Sequence, residues 1–404
     1  MTLKRRTILT MALIVAAVAA LGAPVAWQRW NDHRRVQLAK QCRLARESQR
    51  WEDLQALAED WTRWDPQNGD AWLSRGMAAK GRQEWSDAAK YFWNVPDATP
   101  QAIPAMIELS KLAFTQLNDP LKGVEACERI LKIDPLAQGA RQQLIWFYAM
   151  TLQRVKLRQQ ILDAIKLQRE PREAYVYYFL LQTLRSQDGV DLNSRWLQEA
   201  PDSELFLVAR VINLPDPQTE SPETPMSSSA NENQDAQNGK TKLQQVDELL
   251  ARFPHNLELI AYKTEERFAS GDVSQAARIL KNAPQSAAQD GRFWRFKGWL
   301  HEINDELDSA IAAYHKALEL HPIDWNTMNR LAIVDRRAQN PSEVKRLTDL
   351  VERGNETRKQ LRQQKAVEIV SPQMLQELLS LFKACNDHEI AQALENRLTS
   401  GRKR

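Results

Sequence analysis

The chain has 404 residues, of which 43% are hydrophobic, with 55 basic side chains against 52 acidic ones and only 13 glycines. That length and apolar content fill two common-sized domains or one long array, while the near-balanced charge excludes a global pull toward nucleic acid. So few glycines argue against Gly-rich phosphate loops and against a turn-dense β protein. Cys42, Cys127 and Cys385 lie far apart with no CxxC pair, which excludes a disulfide framework and makes each thiol a small core residue.

Residues 1–6 form a basic tail carrying Lys4, Arg5 and Arg6, followed by an almost uncharged run from Thr7 to Trp27. Twenty-one helical residues span about 30 Å, the thickness of a bilayer core. A cleavable leader has a shorter apolar stretch and a small-residue site, whereas Gly22–Ala26 contains Pro24. Residues 7–27 are therefore expected to be a single uncleaved transmembrane signal anchor. The positive-inside rule barely decides its orientation. The reading adopted places the chain at the inner (cytoplasmic) membrane, with the rest of it exported.

Beyond the anchor, apolar residues recur at three- and four-residue spacing and no run alternates as a strand would. Prolines mark a rhythm: Pro66, Pro100, Pro135 and Pro171 are 34, 35 and 36 residues apart, and Pro254 and Pro322 are 68 apart, twice 34. Proline cannot continue a helix, so each one ends a unit, and a 34-residue period with two helices per unit predicts stacked helix pairs.

Two stretches carry the pattern best, Asp70–Pro100 and Gly291–Pro322, and both resemble the tetratricopeptide repeat (TPR) family. Trp72, Gly76, Ala88, Phe92 and Pro100 fall at the family's signature positions in the first. Trp294, Gly298, Ala310, Tyr314, Ala317 and Pro322 do so in the second. The resemblance covers residues 35–398 and implies an all-α fold, a right-handed superhelical solenoid of antiparallel helix pairs following the single transmembrane helix. Within a pair, Gly298 admits the partner helix, while Trp294 and Tyr314 fill the gaps left by small residues. "INDE" at Ile303–Glu306, "SGDV" at Ser270–Val273 and "CNDH" at Cys385–His388 supply turn and N-cap chemistry.

Residues 215–240 are polar, rich in Pro, Ser and Asn, and nearly free of apolar side chains, so they are expected to be a disordered insertion. The phase of Leu205, Val208, Ala209 and Ile212 before it, and of Val246, Leu249 and Leu250 after it, places this loop inside one helix pair of a continuous array.

No nucleophile elbow, phosphate loop or dinucleotide fingerprint occurs. "HEIND" begins like a zincin helix, but Asp305 stands where the second His belongs, and His301, His315 and His321 read as structural. The chain is therefore not expected to be an enzyme, nor to take a cofactor, metal, small-molecule substrate or nucleic acid. What remains is binding, since the TPR resemblance implies a concave groove for peptides or partner segments. The segment "GRFWRFKGWLHE", Gly291–Glu302, divides by face: Trp294, Gly298 and His301 toward the paired helix, Phe293 and Phe296 toward neighbouring units. Arg292, Arg295 and Trp299 are left to meet a partner. Asn326, Asn329, Arg330, Ile333, Arg336 and Arg337 occupy the equivalent surface one helix pair later. Arginine forks suit carboxylates, so the expected partner is an acidic protein segment. On this reading Arg295→Glu weakens capture without changing stability. The alternative function is nucleic-acid or envelope-polymer binding.

Overall fold

The computed structural model describes residues 27–216, 240–363 and 370–401. The expected transmembrane helix, apart from Trp27, and residues 217–239 of the disordered insertion expected over 215–240 lie outside them. Among the described residues no helix is long and apolar enough to cross a membrane.

The chain divides into two compact units that meet in sequence at Pro135 and Leu136. The first contains α1 (27–47), α2 (Trp51–Trp64), α3 (Gly69–Gly81), α4 (Trp85–Trp93), α5 (Ala102–Thr115) and α6 (Pro120–Ile133). The second begins with α7 (Gln138–Met150), α8 (Arg154–Lys166), α9 (Arg172–Leu180), α10 (Gln187–Trp196) and α11 (Glu204–Asn213). It continues with α12 (Lys242–Arg252), α13 (Leu257–Ala269), α14 (Val273–Lys281), α15 (Gly291–Ile303), α16 (Leu307–Leu320), α17 (Trp325–Arg337), α18 (Pro341–Gln363), α19 (Pro372–Ala384) and α20 (His388–Gly401).

Within the pairs, a missing side chain on one helix receives an aromatic ring from the other. A Cβ on Gly76 would meet the Phe92 ring at 2.4 Å, and one on Gly298 would meet Tyr314 at 2.6 Å. In α5–α6 and α17–α18 the roles are exchanged: Gly123 and Gly354, on the second helices, receive Phe114 and Trp325 from the first. Trp294 acts differently from the expectation that it fills a gap left by small residues, and Trp72 behaves as Trp294 does. Each is half-buried, and its indole N–H donates to the carbonyl six residues earlier, Pro66 at 2.8 Å and Ala288 at 3.0 Å, clipping the preceding connection to its helix.

The turns keep the same time as the seams. Gln49, Gln83, Asn118 and Leu152 have positive φ at intervals of 34, 35 and 34 residues, as do Gly271, Asp305 and Gln339 at 34 and 34. Each lets the chain leave one helix and enter the next through a left-handed residue, with backbone N–H groups reaching back to the last turn. Asp305 N–H donates to Glu302 at 3.2 Å and Glu306 N–H to His301 at 2.9 Å. Side-chain capping is used at only some of these turns. Asp272 accepts from Gln275 N–H at 3.1 Å, whereas Glu306 caps α16 without a side-chain bond.

The second unit also makes contacts between helix pairs that are not neighbours in sequence. A solenoid repeat touches only its neighbours, yet here α20 packs on α8 and α18 on α9. The Tyr178 hydroxyl donates to Asp387 at 2.5 Å across 209 residues, and Arg158 and Lys166 pair with Glu389 at 3.0 and 3.2 Å. The cause lies in α9, "REAYVYYFL", whose aromatics occupy more than one face, so that it must be covered on several sides. Phe179 stacks on both Trp325 and Phe382, each at 5.9 Å, while Tyr178 meets Phe382 and His321 edge-on. α10 turns to α7 and α11, where Trp196 packs against Trp146, Phe147 and Phe206. Farther on, α11 and α12 pack together at the base of the insertion, and the Lys242 ammonium donates to the carbonyls of Ile212 and Leu214 at 3.0 and 2.6 Å.

Candidate partner-binding site

The site grows from the connection between α9 and α10. Arg154, at the start of α8, donates to the carbonyls of Leu181 and Leu184 and to the Glu258 carboxylate at 2.9–3.2 Å. Glu258 in turn accepts from Arg292 at 2.6 and 2.8 Å, and Arg292 clasps Asp290, the N-cap of α15, at 2.7 Å. Burial alone would raise the Glu258 carboxyl, but the two guanidiniums outweigh it and hold it at about 2. One turn along α15, Arg295 donates to Asp324 at 2.6 Å, with the two residues 5% and 2% exposed. Asp324 also caps α17, accepting from the N–H groups of Asn326 and Thr327.

Arg292 and Arg295, expected to face a partner, are thus committed to the fold. Asp290 is a local partner of Arg292, but Glu258, 34 residues before Arg292, and Asp324, 29 residues after Arg295, are out of reach of any local reading of the stripe. Trp299 is committed too. It stacks on Phe268 at 4.5 Å and carries the Arg330 guanidinium 3.8 Å from its centroid, and one ring face cannot hold both, so each takes one. Arg330 also pairs with Glu302 at 3.5 Å, and Arg337 with Asp305. Phe293 and Phe296 are buried, the latter stacked on Phe268 of the preceding pair, and His301 bonds Glu306 through Nδ1 at 2.5 Å.

α17 differs. Asn326, Asn329, Ile333 and Arg336, at steps of three, four and three, all stand exposed along one helical stripe. Beside them a hollow of about 180 Å³ is lined by Asn326, Asn329, Gln182 and Thr183, with Asn355 and Arg358 of α18. His321 forms part of its wall. It is 1% exposed, neither ring nitrogen has a hydrogen-bond partner in the protein, and burial lowers its pKa to about 4, so the ring is neutral.

Gln182 and Thr183 also line a second hollow, of about 290 Å³, with Arg154, Arg185, Glu258 and Arg292. A third, of about 400 Å³, shares Arg185, Asp216, Tyr262 and Glu265 with the second. Asp216 there accepts from Lys242 at 3.0 Å and from the Tyr262 hydroxyl at 3.1 Å. Burial and Arg185 lower the Lys242 ammonium to about 8 against the opposing pull of Asp216. The polar groups of the second and third hollows are largely paired with one another, while the first combines four amides with Thr183, His321, Asp324 and Arg358. Gln182 and Thr183 had no signal in the sequence, since closure of the second unit brings them to α17, whereas Asn355 and Arg358 arrive with α18, the paired helix.

The three thiols are buried, which pushes Cys42 and Cys127 up to about 11 and Cys385 up to about 12. Among the described residues no group of three or more His, Cys, Asp or Glu side chains is placed to hold a metal ion.

No protein-family model and no curated protein matches the chain. Among solved structures it is similar to a tetratricopeptide repeat protein from Parabacteroides merdae, at 11% identity over 75% of this chain and 99% of that one, TM-score 0.27. It is also similar to yeast Tom70, at 12% identity over 97% and 96% of the two chains, TM-score 0.29. A third similar structure is the human IFIT1 dimer with PPP-AAAA, at 13% identity over 86% and 85%, TM-score 0.32. The helix-pair architecture rests on the chain's own seams and turns.

Proposed function

We propose that the chain is a TPR-like binding scaffold that holds a segment of a partner protein along α17 and the amide-lined hollow beside it. One observation carries the reading: the Asn326–Asn329–Ile333–Arg336 stripe is exposed, and its first two residues line a hollow with Gln182, Thr183, Asn355 and Arg358. Amide side chains both donate and accept, as the backbone of an extended segment requires. Ile333 offers an apolar contact, and Arg336 and Arg358 favour a carboxylate on the partner. The apolar run 7–27 would tether this scaffold to the inner membrane. The nucleic-acid alternative lacks its stacking platform at Trp299, both faces of which are occupied.

The test is site-specific photo-crosslinking in cells that make the full chain. A photoreactive residue at Asn329 is expected to yield discrete adducts that the same residue at Val155, 84% exposed on α8, does not. Arg336→Glu should weaken those adducts. Indistinguishable patterns at the two positions would overturn the reading.

A further inference from the structure

Outside the second unit, the least explained surface is at the start of the first. Trp27 and Trp30 are 63% and 48% exposed, and their rings stack at 5.3 Å. Trp64, the last residue of α2, meets Trp30 edge-on at 6.3 Å. Arg34 lies over both Trp30 and Trp64, at 5.3 and 4.4 Å from their centroids. Helix lengths explain the meeting. α1 climbs about 30 Å and α2 returns about 20 Å, so Trp64 comes back to the level of Arg34. A bridge from Arg35 to Asp65 at 2.8 Å holds that end of α2 in place. Arg29 and Arg34 make no ion pair with any described residue, whereas the neighbouring Arg63 is paired with Asp60 at 3.1 Å. The result is an aromatic cluster in which Trp27 and Trp30 are exposed while Arg34 and Trp64 are half-buried, and it begins where the 7–27 apolar run ends.

Indole rings collect at the headgroup level of bilayers because one edge is polar and the body is not, and guanidinium forks suit phosphates. Seven helical residues beyond Trp27 rise about 10 Å, which leaves Arg34 close to the headgroup layer of a bilayer spanned by the preceding run. We infer that Trp27, Trp30, Arg34 and Trp64 form a docking surface for anionic phospholipid headgroups, which seats the first unit on the membrane instead of leaving it on a free tether. The inference rests on the tether reading for residues 7–27 and goes beyond it through Trp64, which belongs to another helix.

The test uses the full chain carrying 5-fluorotryptophan, in nanodiscs of phosphatidylcholine with or without phosphatidylglycerol, with a nitroxide on the lipid headgroup. Resonances are assigned by single Trp→Phe variants. Trp93 on α4 is the reference, being 39% exposed with Arg129 over its ring. In anionic discs the Trp64 resonance should broaden roughly twofold or more relative to Trp93, and Arg34→Glu should remove this while Arg34→Lys retains it. Thermal melting of each variant reports folding separately. Broadening of Trp27 alone, with Trp64 behaving as Trp93 does, would overturn the docking surface and leave the tether standing. A chain that fails to enter discs at all would defeat both. Equal broadening with and without phosphatidylglycerol would overturn the anionic preference.

Discussion

α15 and α17 occupy equivalent places in successive helix pairs, and each carries a stripe of polar and apolar residues that reads as a binding surface. On α15 the stripe is consumed from within: Glu258, Asp290 and Asp324 take its arginines, and Phe268 and Arg330 take both faces of its tryptophan. On α17 the same steps leave Asn326, Asn329, Ile333 and Arg336 open. At equivalent positions α15 carries two arginines, taken up by acids from its own N-cap and from distant helices, whereas α17 carries two asparagines.

The comparison is broken most directly at its charges. Arg295→Ala strands the Asp324 carboxylate in the interior, and removal of one member of a buried pair costs about 3–5 kcal/mol. Arg336→Glu, on the exposed stripe, should change stability by no more than about 0.5 kcal/mol. Urea unfolding of the two variants measures the difference. Equal small effects would mean that the α15 pairs contribute little. The expectation that Arg295→Glu spares stability is thereby reversed.

A second test sits at the entrance to α17. The ordinary histidine pKa of 6.5 falls to about 4 for His321 in the fold, from burial opposed by Asp324, with Arg158 and Arg295 assisting. Between those values the unfolded chain takes up a proton that the native chain refuses. Stability from this group is therefore intact above pH 6.5 and lost as pH falls toward 4, by about 3 kcal/mol. His321→Phe should flatten that window in pH-dependent thermal unfolding. The Glu258 carboxylate acts in the same direction at lower pH, below the ordinary 4.5 and down to about 2, and the variant leaves that loss unchanged.

The smallest effect sharpens the likeness of the two helices instead of their difference. Both end in a left-handed residue, Asp305 with φ +64° and Gln339 with φ +59°. Glycine accepts that conformation without a Cβ clash but loses more freedom on folding, so Asp305→Gly and Gln339→Gly should each raise stability by less than about 1 kcal/mol. A rise in both unfolding midpoints is expected, the smaller for Asp305→Gly, which also removes the pair with Arg337. Opposite signs would show that the two turns are not equivalent.

The repeat itself was legible because its determinants are local. Gly76 with Phe92 and Gly298 with Tyr314 lie on consecutive helices, and the prolines and turn residues keep a fixed period. The exchanged seams at Gly123 and Gly354 were missed because the signature names a glycine on the first helix, whereas packing needs one on either. Two arginines of the candidate stripe are buried for a different reason. Arg292 is taken by Glu258 as well as by the nearby Asp290, and Arg295 by Asp324, and the approach of Glu258 and Asp324 does not follow from distance in sequence. Closure of the second unit was likewise hidden. The aromatics of α9 read as one more apolar helix, and nothing local says that Phe382 and Trp325 will cover it.

That closure changes how the second unit should come apart. In an open row of repeats, a cut at one end frays the end and leaves the rest, because each layer answers only to the next. Here the last helix stands against the second helix of the same unit, so the ends hold each other. Contacts such as Tyr178 with Asp387 must bring together residues 209 apart before they stabilise anything. Such contacts raise contact order and slow folding. The second unit should therefore fold late and unfold as one body, with no stable half-length fragment between.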